Sequence, residues 1–203
     1  MARAEEERGW VRRAREGDPG AYRLLVERYQ SRIYRLVARI LGQGHEGIED
    51  VAQEVFVKAY FSLKKFREDA SFGTWVYRIA VNQSRDTLRR EPGTIPLDEV
   101  ASQESVEALR GLLRPSDSQE GDPPGRSEGL RALVGRAVAG LPERMRVVVT
   151  LKDMEGFSYQ DVSRILRCSV GTVKSRHARA RERLRKALSP YVPDLLGRKS
   201  HEV

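Results

Sequence analysis

Apolar residues recur at steps of three and four through most of residues 18–90, the period of helices with one buried face, and no stretch of useful length alternates as a strand would. Asp18-Pro19 starts a helix, with the carboxylate as N-cap and the ring at the first helical position. Leu24, Leu25, Ile33, Leu36, Val37 and Ile40 are available for its core as far as Leu41, where Gly42 and Gly44 end it. A shorter helix is expected before it, around 10–15. The next helix, over about 48–65, carries Ile48, Val51, Ala52, Val55, Phe56, Ala59 and Leu63 as a buried stripe. After a loop at 66–71, a helix over about 72–90 buries Phe72, Trp75, Val76, Ile79 and Ala80.

The pattern then breaks. Pro92, Pro96, Pro115, Pro123 and Pro124 interrupt any long helix over 92–128, a segment also rich in Gly, Ser and acids, with room for a turn or two of helix near 106–113. Helical periodicity resumes beyond it and ends in a dense passage, 157–184, reading FSYQDVSRILRCSVGTVKSRHARARERL. Ser158 is an N-cap, and Asp161 can reach back to its backbone N–H as in a capping box. Val162, Ile165 and Leu166 face inward, Arg167-Cys168-Ser169 forms a turn, and Ser169 caps a second helix. The predicted fold is therefore all-α: a helical domain at 1–91, a flexible acidic linker at 92–128, a second helical domain at 129–190 with a helix-turn-helix, and a tail at 191–203.

Charge sharpens the picture. The chain carries 37 basic and 29 acidic residues, a net +8. Residues 1–91 hold 18 basic and 14 acidic groups, 92–128 hold 3 and 8, and 129–203 hold 16 and 7. Two basic blocks flank an acidic connector, which favours a polyanionic partner. Neither a membrane-length apolar run nor a signal peptide is expected, since Arg3 and Glu5-Glu6-Glu7 open the sequence, and the expected compartment is the cytosol.

On the last helix Val170, Val173, His177, Ala180 and Leu184 share one face, with Gly171, Ser175, Ala178, Arg179 and Glu182 opposite. Small residues let such a helix approach base edges in the major groove, and the fork of Arg179 suits guanine. Lys174 and Arg181 on one edge, and Arg176 and Arg183 on the other, suit phosphates. On the 72–90 helix, Arg78, Asn82, Arg85 and Arg89 form a second basic stripe near aromatics, suited to DNA backbone and an unstacked base. On the 48–65 helix, Asp50, Gln53, Glu54, Val57 and Phe61 lie opposite the core stripe. Carboxylates interleaved with Val and Phe suit a basic protein partner, while Phe61 could equally pack on a neighbouring helix.

Catalytic and metal chemistry find no footing. His177 points to the core side, Cys168 is the only cysteine, and the three histidines are scattered. No metal-site carboxylate pair, phosphate-binding Gly loop or Ser/His/Asp set is present. No enzyme activity, metal, cofactor or small-molecule substrate is expected.

Four phrases carry a resemblance. Residues 49–58 read EDVAQEVFVK, 66–82 read FREDASFGTWVYRIAVN, 141–144 read LPER and 170–176 read VGTVKSR. In this order and at this separation the chain resembles bacterial RNA polymerase sigma factors of the extracytoplasmic-function (ECF) class, over about 18–91 and 136–188. The resemblance implies that the Asp50, Gln53, Glu54, Val57 and Phe61 face binds core polymerase, chiefly its β′ clamp helices, with β as a further contact. It implies minus-ten capture and opening by the loop from Phe66 to Ser71 and by Phe72, Trp75, Arg78, Asn82, Arg85 and Arg89. It implies minus-thirty-five reading by Thr172, Lys174, Ser175, Arg176, Ala178, Arg179 and Arg183, and a linker that threads towards the RNA exit path. It also implies an anti-sigma factor as partner. His177-Ala178 stands where a Leu-His pair is common in the family, and the tail after Leu188 has no clear counterpart. The residues alone leave a second reading open: a dimeric helix-turn-helix regulator that binds palindromic DNA unaided and uses the Asp50–Phe61 face to self-associate.

Overall fold

The computed structural model describes residues 2–66, 70–90 and 126–191. Every regular element among them is helical. Residues 67–69 of the loop at 66–71, residues 91–125 with most of the expected linker, and the tail from 192 lie outside the described residues.

By compactness the chain divides into two units, residues 1–94 with 150–173 and residues 95–149 with 174–203. The first is built on α1 (Ala2–Arg15), α2 (Pro19–Leu41), α3 (Ile48–Ser62) and α4 (Phe72–Arg90). Asp18 caps α2 as its sequence dictates: Oδ1 accepts the Ala21 N–H at 3.1 Å, and Pro19 follows at the first position. Gly42 closes the helix with φ 106°, a conformation in which a Cβ would be strained. The core of α2 is Ala21, Leu25, Tyr29, Ile33, Leu36, Val37 and Ile40. Leu24, offered by the sequence as a core candidate, is instead exposed. It lies one residue, about 100° of helix, from Leu25 and so falls off the stripe.

Against α2 pack α3 and α4, with Val51, Val55, Ala59, Val76, Ala80 and Val81 between them. α3 ends at Ser62 and its continuation, Leu63–Lys65, is a 3-10 turn, so the α-helix is shorter than the periodicity suggests. Leu63 remains buried. Ile79 is half-buried rather than core, while Tyr77, Gln83 and Ser84 of α4 are buried. α1 begins at Ala2 rather than near Trp10 and packs on α2. Two contacts pin it: Tyr29 donates its hydroxyl to Glu7 at 2.9 Å, and the Arg28 guanidinium covers the Trp10 ring at 5.0 Å.

To the same unit belongs the chain from Thr150 to Val173. A π-helical turn, Thr150–Met154, leads to α7 (Tyr159–Leu166), which packs on α4. Ser158 caps α7 by accepting the Asp161 N–H at 3.1 Å. The return bond differs from the expected capping box: Ser158 Oγ donates to Asp161 Oδ2 at 2.5 Å, side chain to side chain. Val162 and Ile165 are buried and Leu166 is half-buried. Arg167 ends α7 in the left-handed region, φ 52°.

The second unit contains α5 (Arg126–Ala139), α6 (Glu143–Val149) and most of α8 (Val170–Leu188). Leu133, Ala137 and Ala187 form a small core, with Leu184, Leu188 and Tyr191 packed on it. Between α5 and α6, Pro142 opens the turn, and its carbonyl accepts the Met145 and Arg146 N–H groups. Arg146 returns a bond from Nη1 to the Ala139 carbonyl at 2.7 Å.

Candidate nucleic-acid and partner interfaces

The outer face of α3 carries Asp50, Gln53, Glu54, Val57 and Phe61, all exposed. Phe61 is 78 % exposed, which answers the question its spacing left open: it does not pack on a neighbouring helix. Its one aromatic neighbour among the described residues is Tyr60, edge-on at 5.7 Å, and Tyr60 in turn meets Tyr22 at 5.0 Å. Tyr22 fixes this arrangement by donating its hydroxyl to the Phe56 carbonyl at 2.5 Å. Tyr60, exposed beside Phe61, thus extends the apolar patch, which sequence reasoning missed; its place three residues after Val57 was the available signal. Glu54 is also tied inward, because Gln83 of α4 donates to it while accepting from Lys58.

The residues expected to hold the minus-ten element form a different kind of surface. Phe66, Phe72 and Trp75 are buried and interlocked, with centroids 5.0 Å apart for Phe66–Trp75 and 5.6 Å for Phe72–Trp75. Ser71 caps α4: its Oγ accepts the Thr74 N–H at 3.0 Å. Gly73 is required here, since a Cβ would stand 2.8 Å from the Tyr29 hydroxyl. At the rim of this cluster opens a cavity of about 120 Å³, lined by Phe66, Ala70, Thr74, Trp75, Arg78 and Arg164. Asn82 and Arg89 are exposed along α4, Arg78 and Arg85 half-buried, and Arg89 pairs with Asp86 at 3.4 Å. Aromatic edges and a guanidinium around one opening suit a base taken out of its stack. Arg164, which comes from α7, carried no sequence signal for this place.

On α8 the expected faces separate cleanly. Val173, His177 and Ala180 are buried; Lys174, Ser175, Ala178 and Arg179 are exposed. His177 is thus a packed residue at the back of the helix. Ser169 caps α8 by accepting the Thr172 N–H at 3.0 Å, and the two hydroxyls are 2.9 Å apart. Thr172 and Arg176 are half-buried. Arg183 is also half-buried, with its Nη1 shielded from solvent, unlike the open Arg179. Glu182 is neutralised by Arg185, a two-pronged pair at 2.8 and 2.9 Å, so the helix keeps its basic outer face near the turn. Among the described residues no cluster of His, Cys, Asp or Glu could hold a metal ion, and no helix is long and apolar enough to cross a membrane.

Known proteins carry the same two modules. The model of the sigma-70 region 2 family matches residues 25–92, and that of sigma-70 region 4 matches 131–184. The ECF RNA polymerase sigma-E factor of Escherichia coli K12 is 39 % identical over 187 residues, covering 90 % of this chain and 94 % of that protein. The chain belongs to the ECF sigma factors. A second relative, the RNA polymerase sigma-H factor of Pseudomonas aeruginosa, is 38 % identical over 192 residues, 95 % of this chain and 98 % of its own. The structure of CnrH in complex with the cytosolic domain of CnrY matches with a TM-score of 0.63 at 25 % identity, over 91 % of this chain and 98 % of that one. RpoE bound to the anti-sigma factor NepR from Bartonella quintana shares the fold, with a TM-score of 0.61 at 22 % identity, over 83 % of this chain and 96 % of that one. This sigma factor is accordingly a non-enzymatic transcription initiation factor.

Proposed function

We propose that three faces divide the work of initiation in this sigma factor. The α3 face, Asp50, Gln53, Glu54, Val57 and Phe61 extended by Tyr60, docks on a basic and apolar surface of core RNA polymerase. The α4 region, with Phe66, Ser71, Phe72, Trp75, Arg78, Asn82, Arg85 and Arg89, opens and holds the minus-ten element. Arg78 and the rim of the aromatic cluster meet an extruded base, Phe72 and Ser71 build the cluster, and Asn82, Arg85 and Arg89 follow the backbone. On α8, Lys174, Ser175, Ala178 and Arg179 read the minus-thirty-five element, with Thr172, Arg176 and Arg183 supporting at the edges. The division 1–91, 92–128, 129–190 and 191–203 assigns docking and melting to the first domain, spacing to the linker and upstream reading to the second.

The observation that carries this reading is the exposure of an aromatic-acidic patch on α3 together with the basic, small-residue face of α8. A free-standing monomer gains nothing from leaving Phe61 in water, whereas a docking face does. An anti-sigma factor is the expected inhibitor, and the cytoplasm, where polymerase works, the expected compartment.

Reconstitution tests the reading. Core polymerase given this chain should produce start-site-specific transcripts from genomic DNA, and mapping their 5′ ends yields both promoter elements. Asp50→Arg reverses charge on an exposed position and should abolish polymerase binding with the fold intact. Wild-type affinity in that variant would overturn the docking assignment.

A further inference from the structure

One acidic residue of the first unit is out of place by ordinary rules. The Glu155 side chain is 5 % exposed, yet it stands between the π turn and α7, away from any helix interior. Its Oε1 accepts from Arg39 Nη1 at 3.2 Å. Its Oε2 accepts from Arg32 Nε at 3.2 Å and from the Tyr77 hydroxyl at 2.5 Å. Its backbone carbonyl accepts from Arg32 Nη2 at 3.4 Å. Phe157, two residues on, meets the Tyr77 ring edge-on at 4.7 Å. Burial, then the bond to Glu155 and its charge, push the Tyr77 phenol well above its ordinary value, so it stays a donor. A buried carboxylate is tolerated only when so fully partnered, and losing one partner strands the others.

The position of this knot gives it meaning. It fastens the chain just ahead of α7 to α2 and α4, and α7 packs on α4. From α7, Arg164 then forms one wall of the cavity at Phe66, Trp75 and Arg78. Arg164 lines that opening of about 120 Å³ beside Trp75 and Arg78, so a base entering it would meet the Arg164 side chain of α7. We infer that Glu155, held by Arg32, Arg39 and Tyr77, is an intramolecular latch that keeps the first helix of the helix-turn-helix over the minus-ten pocket and must release before promoter DNA is captured. The inference rests on the assignment of that pocket to the minus-ten element. A latch lowers apparent DNA affinity by the fraction of molecules that are open, and weakening it returns that affinity.

The full chain suits the test, because Cys168 is its only cysteine and follows α7 directly. With Ser31→Cys added on the exposed side of α2, two dyes report whether α7 is docked. Glu155→Gln, and separately Tyr77→Phe, should lower energy transfer and tighten binding of a single-stranded minus-ten oligonucleotide by about tenfold or more. Tyr77→Phe keeps the ring and its packing, so it answers if the Glu155 variant fails to fold. Unchanged transfer, or unchanged oligonucleotide affinity in a folded variant, overturns the latch. Transcription with core polymerase separates the two levels. If neither wild type nor variant initiates, the promoter reading fails; if both initiate while transfer and affinity stay at wild-type values, only the latch fails.

Discussion

Phe61 and Leu63 are two residues apart in the chain and make opposite predictions. Phe61 is 78 % exposed and Leu63 is 2 % exposed. Truncating Phe61 to alanine removes little that the free protein uses, an edge contact to Tyr60, so stability should fall by no more than about 0.5 kcal/mol. If its ring is buried against polymerase, most of the ~1.5–3 kcal/mol of burying a Phe side chain is realised only in the complex. Scaled to the exposed fraction, the loss is about 1.2–2.3 kcal/mol, roughly a sevenfold to fiftyfold weaker Kd. Leu63→Ala should instead lose about 2–5 kcal/mol of stability and affect binding only through unfolding. Titrating fluorescent sigma factor with core polymerase, alongside thermal unfolding of each variant, separates the two. Unchanged affinity in Phe61→Ala would show that α3 does not dock through this patch. A stability loss equal to that of Leu63→Ala would show instead that the ring is packed in solution.

Gly73→Ala places a methyl 2.8 Å from the buried Tyr29 hydroxyl, itself bonded to Glu7, and should destabilise the first unit by about 1–3 kcal/mol in chemical denaturation, with near-wild-type stability refuting the close approach. Arg179→Ala, on the open face of α8, should lose about 1–3 kcal/mol of binding at one base pair and relax specificity there, whereas an equal loss on every sequence would make Arg179 a phosphate contact. The Ala21 N–H and Arg13 hold the Asp18 carboxyl below its ordinary 3.8, so its share of stability is present above that value and lost as pH falls through the lowered one. Asp18→Asn should flatten that acid limb of a pH–stability curve, and an unchanged limb would place the titration elsewhere.

The helices and caps were legible because they are local. Asp18 before Pro19, Ser158 three residues before Asp161, and Ser169 three before Thr172 each pair groups within one helical turn, and all three caps form. Misreadings also have local causes. Leu24 and Leu25 both looked available, but a stripe through Ala21, Leu25, Tyr29 and Ile33 advances by four and leaves Leu24 outside. Tyr29 was passed over because tyrosine tolerates either environment. What no periodicity could reach is separation: Glu155 meets partners 116 and 123 residues away in α2, and Arg164 reaches Phe66 and Trp75 from another helix.

Two residues invert the usual rule of apolar inside and charged outside. Phe61 is an aromatic ring left in water; Glu155 is a carboxylate taken out of it. Their compensations differ. Among the described residues only the edge of Tyr60 meets Phe61, so on the proposed reading its burial comes from core polymerase. Glu155 is compensated within the chain by two guanidiniums and a phenol, all on elements other than its own, so its burial marks a state of the chain rather than a surface. A solvated glutamate at that position would leave α7 docking to apolar packing alone, that of Phe157 on Tyr77 and of α7 on α4. The charge cluster makes docking directional and dependent on a few donors at once, which is why a substitution as mild as Tyr77→Phe is expected to shift it.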